Sequence, residues 1–405
     1  MATDLVRFFG ALAILVALAA FARQAARWTR QPAVLGELLL GVVLGPTLLG
    51  WAWPGGHDFL LGGANAPLLD GLAWIGLVLF MLVAGAEMEW HPKNGLAAIG
   101  VASGGLVLPA TAGAFLALFA PDWFFDRAPT GPGILLVATI MTVTALPVLA
   151  RILADLQLLD RPTAAVTMAA ATIDDVAGWI ALALAAAAGH PGLTGSLGGN
   201  LALVFGLLAA VLVLDHLLAA RLRPFLPQEP AHLFVAVVVA TFAAALLTHE
   251  AGLHAVVGPL AVGAVVSRHR GLRDVVAERF RGVAFILLLP MFFILTVGQA
   301  DLRLVVTDTG LLALLVVLIA ATTGKVVGCY AGARMAGLTH DQGLGAGILM
   351  NARGAVGLVV AKVGLDAGLL APHGFALMVL VIVLTTLLAA PALAWHVRRV
   401  GVGAL

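Results

Sequence analysis

The chain alternates long apolar stretches with short polar connections. Thirteen stretches reach or approach the roughly 20 residues that carry a helix across a bilayer. They run 4–22, 33–51, 67–88, 96–119, 133–154, 163–188, 200–220, 232–249, 253–267, 281–298, 309–332, 342–364 and 374–396, with 253–267 the shortest. None alternates apolar and polar positions in the ten-residue strands of a membrane barrel. Helices satisfy their own backbone groups within the segment, so the expected fold is an all-α membrane protein of about 13 transmembrane helices. The connections leave no room for a soluble regulatory domain. The N-terminus shows neither a basic leader nor a small-residue cleavage site, so the first stretch is expected to be a retained helix. Trp51, Trp53, Trp90 and Trp395 fall at stretch ends, where indole rings anchor at the membrane interface.

Charge then orients the helices. With the N-terminus outside and the C-terminus cytoplasmic, the inner loops collect sixteen of the 22 Lys and Arg residues, from Arg23, Arg27 and Arg30 through to Arg398 and Arg399. That bias follows the positive-inside rule, and an extra or missing helix would scramble it. Thirteen helices divide as six, one and six: a first repeat over 1–190, a linking helix at 200–220 and a second repeat over 231–405. A single linking helix inverts the second repeat relative to the first, a common transporter plan that pairs the fifth helix with the twelfth.

Composition narrows the class further. The hydrophobic fraction is 62% and the charged fraction 11%, against roughly 25% charged in soluble domains. The net charge of +1 says nothing about partners, and with no basic block or zinc-finger spacing no nucleic acid is expected. No Walker loop or Gly-x-Gly-x-x-Gly motif is present, so neither a nucleotide nor another cofactor is expected. His249-Glu250 and His254 have the wrong spacing for a zinc helix and are read as a solvated outer loop. The single cysteine, Cys329, excludes a disulfide within the chain and is read as a buried, inert thiol.

Four charged residues stand deep inside apolar stretches, where each costs at least about 2.5–3.5 kcal/mol to insert. Asp174 and Asp175 are adjacent in the sixth stretch. Helical neighbours point about 100° apart, so one can pair with another helix while the other faces a watery cavity. Lys325, in the eleventh stretch, needs a counter-ion, and Asp174 or Asp175 is the natural one. The plainer readings are a packing pair of carboxylates and a lysine that snorkels to the headgroups.

In the fifth stretch Pro147 lacks an N–H, which breaks or kinks the helix and frees carbonyls one turn back. With Thr142 and Thr144 it supplies hard oxygen ligands; the plainer reading is a proline kink. In the twelfth stretch, Asn351, Arg353 and Gly354 follow a glycine run that permits local unwinding. Arg353 is always charged and is expected to stabilise exposed carbonyl ends where the two broken helices cross.

The chain resembles the bacterial monovalent cation:proton antiporter-2 family of the sodium/proton exchanger superfamily. The motifs are Val34–Glu37 running on through Pro46 to Gly50, Thr144–Arg151, Ile173–Val176 and Met350–Gly354. The resemblance covers nearly the whole chain. It implies a mobile core domain, a dimerisation domain, two broken crossing helices and a homodimer in the bacterial inner membrane. It also implies that Asp175 is the group that binds cation or proton, and that Asp174 pairs with Lys325. Potassium-efflux relatives often carry Gln at the position of Asp174 and a nucleotide-binding C-terminal domain, so the chain departs from that subgroup.

The expected function is a secondary active antiporter rather than an enzyme. It would exchange a monovalent cation, Na+ as first choice with K+ or Li+ as alternatives, for protons by alternating access in an electrogenic cycle. The second choice is a K+/H+ antiporter or K+ efflux protein of the same fold. An ion channel is the competitor from another class. A membrane aspartyl enzyme is disfavoured, because adjacent aspartates on one helix splay apart.

Overall fold

The computed structural model describes residues 2–29, 31–86, 95–158, 161–189, 206, 230–250, 255–269, 273, 276, 279–280, 282 and 284–401. Every regular element among them is helical. In chain order the α-helices are α1 (Ala2–Trp28), α2 (Ala33–Leu44), α3 (Leu49–Ala52), α4 (Pro54–Leu60), α5 (Ala66–Ala86), α6 (Gly95–Phe119), α7 (Gly131–Thr142) and α8 (Leu146–Asp155). They continue as α9 (Pro162–Gly189), α10 (Pro230–Glu250), α11 (Val257–Ser267), α12 (Leu289–Val297), α13 (Asp308–Met335), α14 (His340–Met350), α15 (Ala355–Asp366) and α16 (Pro372–Val400). Nine helical segments among the described residues are long and apolar enough to cross a membrane. The expected span 200–220 lies outside the described residues, apart from Gly206.

Several boundaries differ from the apolar pattern for physical reasons. The first helix runs on to Trp28 because Arg-Gln-Ala-Ala-Arg are good helix formers although they end the apolar run. The second stretch is not continuous: α2 stops at Leu44 and α3 begins at Leu49. Pro46 has no N–H to give and disfavours helical backbone at the residue before it, and Gly45 is extended. His249 and Glu250 close α10 instead of lying in a loop.

The chain divides into two compact units, one of residues 1–65, 90–181 and 293–405, the other of 66–89 and 182–292. In the first, α6 and α13 pack backbone to backbone. A Cβ added at Gly104 would stand 1.9 Å from the Gly328 carbonyl oxygen, so only glycine permits this approach. Around that contact lies a core that includes Val101, Val148, Leu149, Ile152, Ala170, Leu349 and Leu393. In the second unit, Leu79, Leu82 and Val83 of α5 pack with Val237 of α10 and Val266 of α11. Long apolar side chains remain outward on α1, α6 and α13, among them Phe9, Phe21, Val107, Phe119, Leu312 and Ile319. A hydrocarbon solvent explains such a surface, and the protein is a multi-pass membrane protein.

Candidate ion-binding site

Two helices of the first unit are interrupted at mid-course. The α7 helix ends at Thr142 and α8 begins at Leu146; α14 ends at Met350 and α15 begins at Ala355. The two breaks meet: the Ala145 amide donates to the Ala352 carbonyl at 3.0 Å. A Cβ on Gly354 would stand 2.9 Å from that of Ala145. Each break leaves the last carbonyls of a helix without their usual intrahelical donors.

Cationic side chains and hydroxyls bond carbonyls at and beside the breaks. Arg353, fully enclosed between α14 and α15, donates from one guanidinium nitrogen to the Ile140 carbonyl at 2.6 Å and from another to the Ala321 carbonyl at 3.2 Å. The Arg353 carbonyl in turn accepts the Thr386 hydroxyl of α16. Thr144, inside the first break, lies 2.8 Å from the Met350 carbonyl and 2.7 Å from Asp174 Oδ2. Its single proton serves one of these acceptors at a time. A positive charge at the C-terminal end of α7 also opposes the helix dipole there.

Asp174 and Lys325 are both fully buried and form an ion pair through Oδ2. The Lys325 ammonium further donates to the Thr142 carbonyl and, at 3.1 Å, to the Gly105 carbonyl. Three donors thus meet three acceptors. Asp174 Oδ1, Asp175 Oδ1 and Asn351 Oδ1 are buried and have no hydrogen-bond partner among the described residues. A buried carboxylate oxygen left unpaired is costly unless it serves a proton or a cation.

Of the residues singled out from sequence, the structure gathers Asp174, Lys325, Thr144 and the Thr142 backbone at one point, with Arg353 bracing the same break. Thr142 differs from expectation in one respect. Its hydroxyl donates back to the Thr139 carbonyl at 2.8 Å, and it is the Thr142 carbonyl that meets Lys325. Pro147 lies in the first turn of α8, which places it just past the break. Sequence reading did not single out Gly105, Ile140, Ala321, Met350 or Thr386. Four of these act through main-chain oxygens, which residue type does not reveal. Glu37, near the start of the second apolar stretch, is buried and pairs with Arg23 at 3.4 Å.

A model of the family described as sodium/hydrogen exchanger, transmembrane, matches residues 12–399. Cation/H(+) antiporter 19 of Arabidopsis thaliana is 31% identical over 371 residues, covering 89% of this chain and 46% of that protein. The chain thus spans less than half the length of the plant relatives it matches. The Na(+)/H(+) antiporter NhaS4 of Synechocystis is 27% identical, with 89% of this chain and 90% of that one covered. The solved sodium proton antiporter MjNhaP1 from Methanocaldococcus jannaschii superposes with a TM-score of 0.68 at 15% identity, covering 98% of this chain and all of that one; at that identity the likeness is one of fold. The matched region runs through both helix breaks and the aspartate pair, and the chain belongs to the sodium/hydrogen exchanger transmembrane family.

Proposed function

We propose that the protein exchanges a monovalent cation for protons at Asp175, by alternating access and with net movement of charge. The observation that carries this reading is the unequal treatment of two adjacent carboxylates. Asp174 is engaged through Oδ2 by Lys325 and Thr144 and left unpaired only at Oδ1, whereas Asp175 has a buried, unpaired Oδ1 and no ion-pair partner to set against it among the described residues. A carboxylate in that position binds either H+ or a dehydrated cation, and one occupant excludes the other. Carboxylate and carbonyl oxygens suit a hard ion, which favours Na+. Asn351 Oδ1 is a further candidate oxygen. Release of Lys325 from Asp174 on protonation would move more than one proton per cation. Relatives named as Na(+)/H(+) and K(+)/H(+) antiporters support the reaction and keep K+ as second choice. In the same reading the protein is a homodimer of the bacterial inner membrane, N-terminus outside and C-terminus cytoplasmic, with inverted repeats over 1–190 and 231–405.

The test is exchange in proteoliposomes with an internal pH dye, scanning Na+, Li+ and K+ under clamped voltage. Wild-type protein should move protons against one of these ions with a rate that follows the voltage. Asp175→Asn should insert and fold yet show no exchange; full activity in that variant would reject the assignment.

A further inference from the structure

The α6 helix contains a proline, Pro109, in its interior. Proline cannot give an N–H to the carbonyl four residues back, and its ring crowds that carbonyl away from the helix axis. For Pro109 that carbonyl belongs to Gly105, and it is the Gly105 oxygen that accepts Lys325 Nζ at 3.1 Å. The neighbouring contacts fit the same purpose. Gly324, one residue before the lysine, lies against Pro109: a Cβ there would be 3.3 Å from Pro109 Cα. Gly105 itself leaves room for the Cys329 thiol beside the lysine: a Cβ on it would stand 2.4 Å from Cys329 Sγ, and 3.4 Å, an ordinary contact, from Lys325 Nζ.

We propose that Pro109 is a positioning residue for Lys325: by withholding its N–H it turns the Gly105 carbonyl outward as the lysine's third acceptor. The consequence concerns the exchange cycle, and to that extent it rests on the function proposed above. Of the three acceptors, only Asp174 can change its protonation. The carbonyls of Gly105 and Thr142 cannot, so they hold the ammonium in place when the carboxylate lets go. Alanine at position 109 would restore an N–H, draw the Gly105 carbonyl back along the helix and leave Lys325 with one fixed acceptor.

The experiment separates the missing N–H from the shape of the ring. Pro109→Ala is compared with protein carrying lactic acid at position 109, which has alanine's side chain but an ester oxygen in place of the amide. The expected result in the proteoliposome assay is a loss of about three- to tenfold in exchange for Pro109→Ala and recovery of most of it by the ester. An ester variant as impaired as Pro109→Ala, or a Pro109→Ala protein with wild-type exchange, overturns the proposal. Melting of the purified protein supplies a readout independent of transport. Pro109→Ala should lower the melting temperature in the wild-type background and leave it unchanged or higher in the Lys325→Met background, where the helix simply gains a hydrogen bond. Equal losses in both backgrounds would mean that Pro109 acts on the helix and not on the lysine. Wild-type liposomes without exchange would refute the proposed function, while the melting comparison would still decide the role of Pro109.

Discussion

The Asp174–Lys325 pair is the most exposed point of the design to a single change, because both groups are fully buried. Removing one partner of a buried pair strands the other charge and costs about 3–5 kcal/mol. Asp174→Asn and Lys325→Met should therefore each lower the melting temperature of purified protein sharply. The double variant should melt well above the sum of the two losses, and additive losses would mean that the pair is not coupled. Thr144→Val removes the hydroxyl shared between Asp174 and the Met350 carbonyl and should cost about 1–3 kcal/mol in the same measurement; Thr144→Ser should stay near wild type. At this scale the sequence shows its charged chemistry openly, since a carboxylate or ammonium inside an apolar run stands out. What it hides is the acceptor set. Gly105, Thr142, Ile140, Ala321 and Met350 all contribute backbone oxygens; those of Thr142, Ile140 and Met350 are freed by the helix breaks and that of Gly105 by Pro109, while Ala321 accepts from within an unbroken helix.

The elements were legible where apolar length decides them and less so where backbone chemistry does. The breaks after Thr142 and before Ala355 follow from Pro147 and the Asn-Ala-Arg-Gly run, whereas the break at Gly45-Pro46 interrupts a stretch that reads as one span. Between α6 and α13 the packing depends on missing side chains. Gly328→Ala would put a Cβ 2.1 Å from the Gly104 carbonyl oxygen and force the helices apart. That change should destabilise by about 1–3 kcal/mol or more, with lower yield of folded protein on size-exclusion chromatography. Gly95→Ala on the same helix α6 meets nothing within 4 Å and should be tolerated. Equal yields of the two variants would contradict the backbone contact.

For the whole molecule, the single shared site proposed above would make H+ and cation competitors. The apparent KM for the cation should rise as pH falls, by up to about tenfold per unit where protons dominate, with little change in maximal rate. Exchange measured over a pH series in liposomes reads this directly, and a KM independent of pH would require separate sites. The family, the helical class and the membrane were all readable from apolar runs and motifs. The residue make-up of the two compact units was not, because it joins segments as distant as 1–65 and 293–405 that no local pattern connects.

One contact in the site lies beyond the reach of side-chain mutagenesis. The amide of Ala145 bonds the carbonyl of Ala352, a purely main-chain link between the two interrupted helices beside the side-chain contacts of Thr144 and Arg353, and an alanine scan would pass over this pin unseen. Deuterium uptake can follow it instead. Protection at residue 145 should persist while the crossing holds, and cation or pH conditions that part the helices should expose that amide ahead of those deeper in α7.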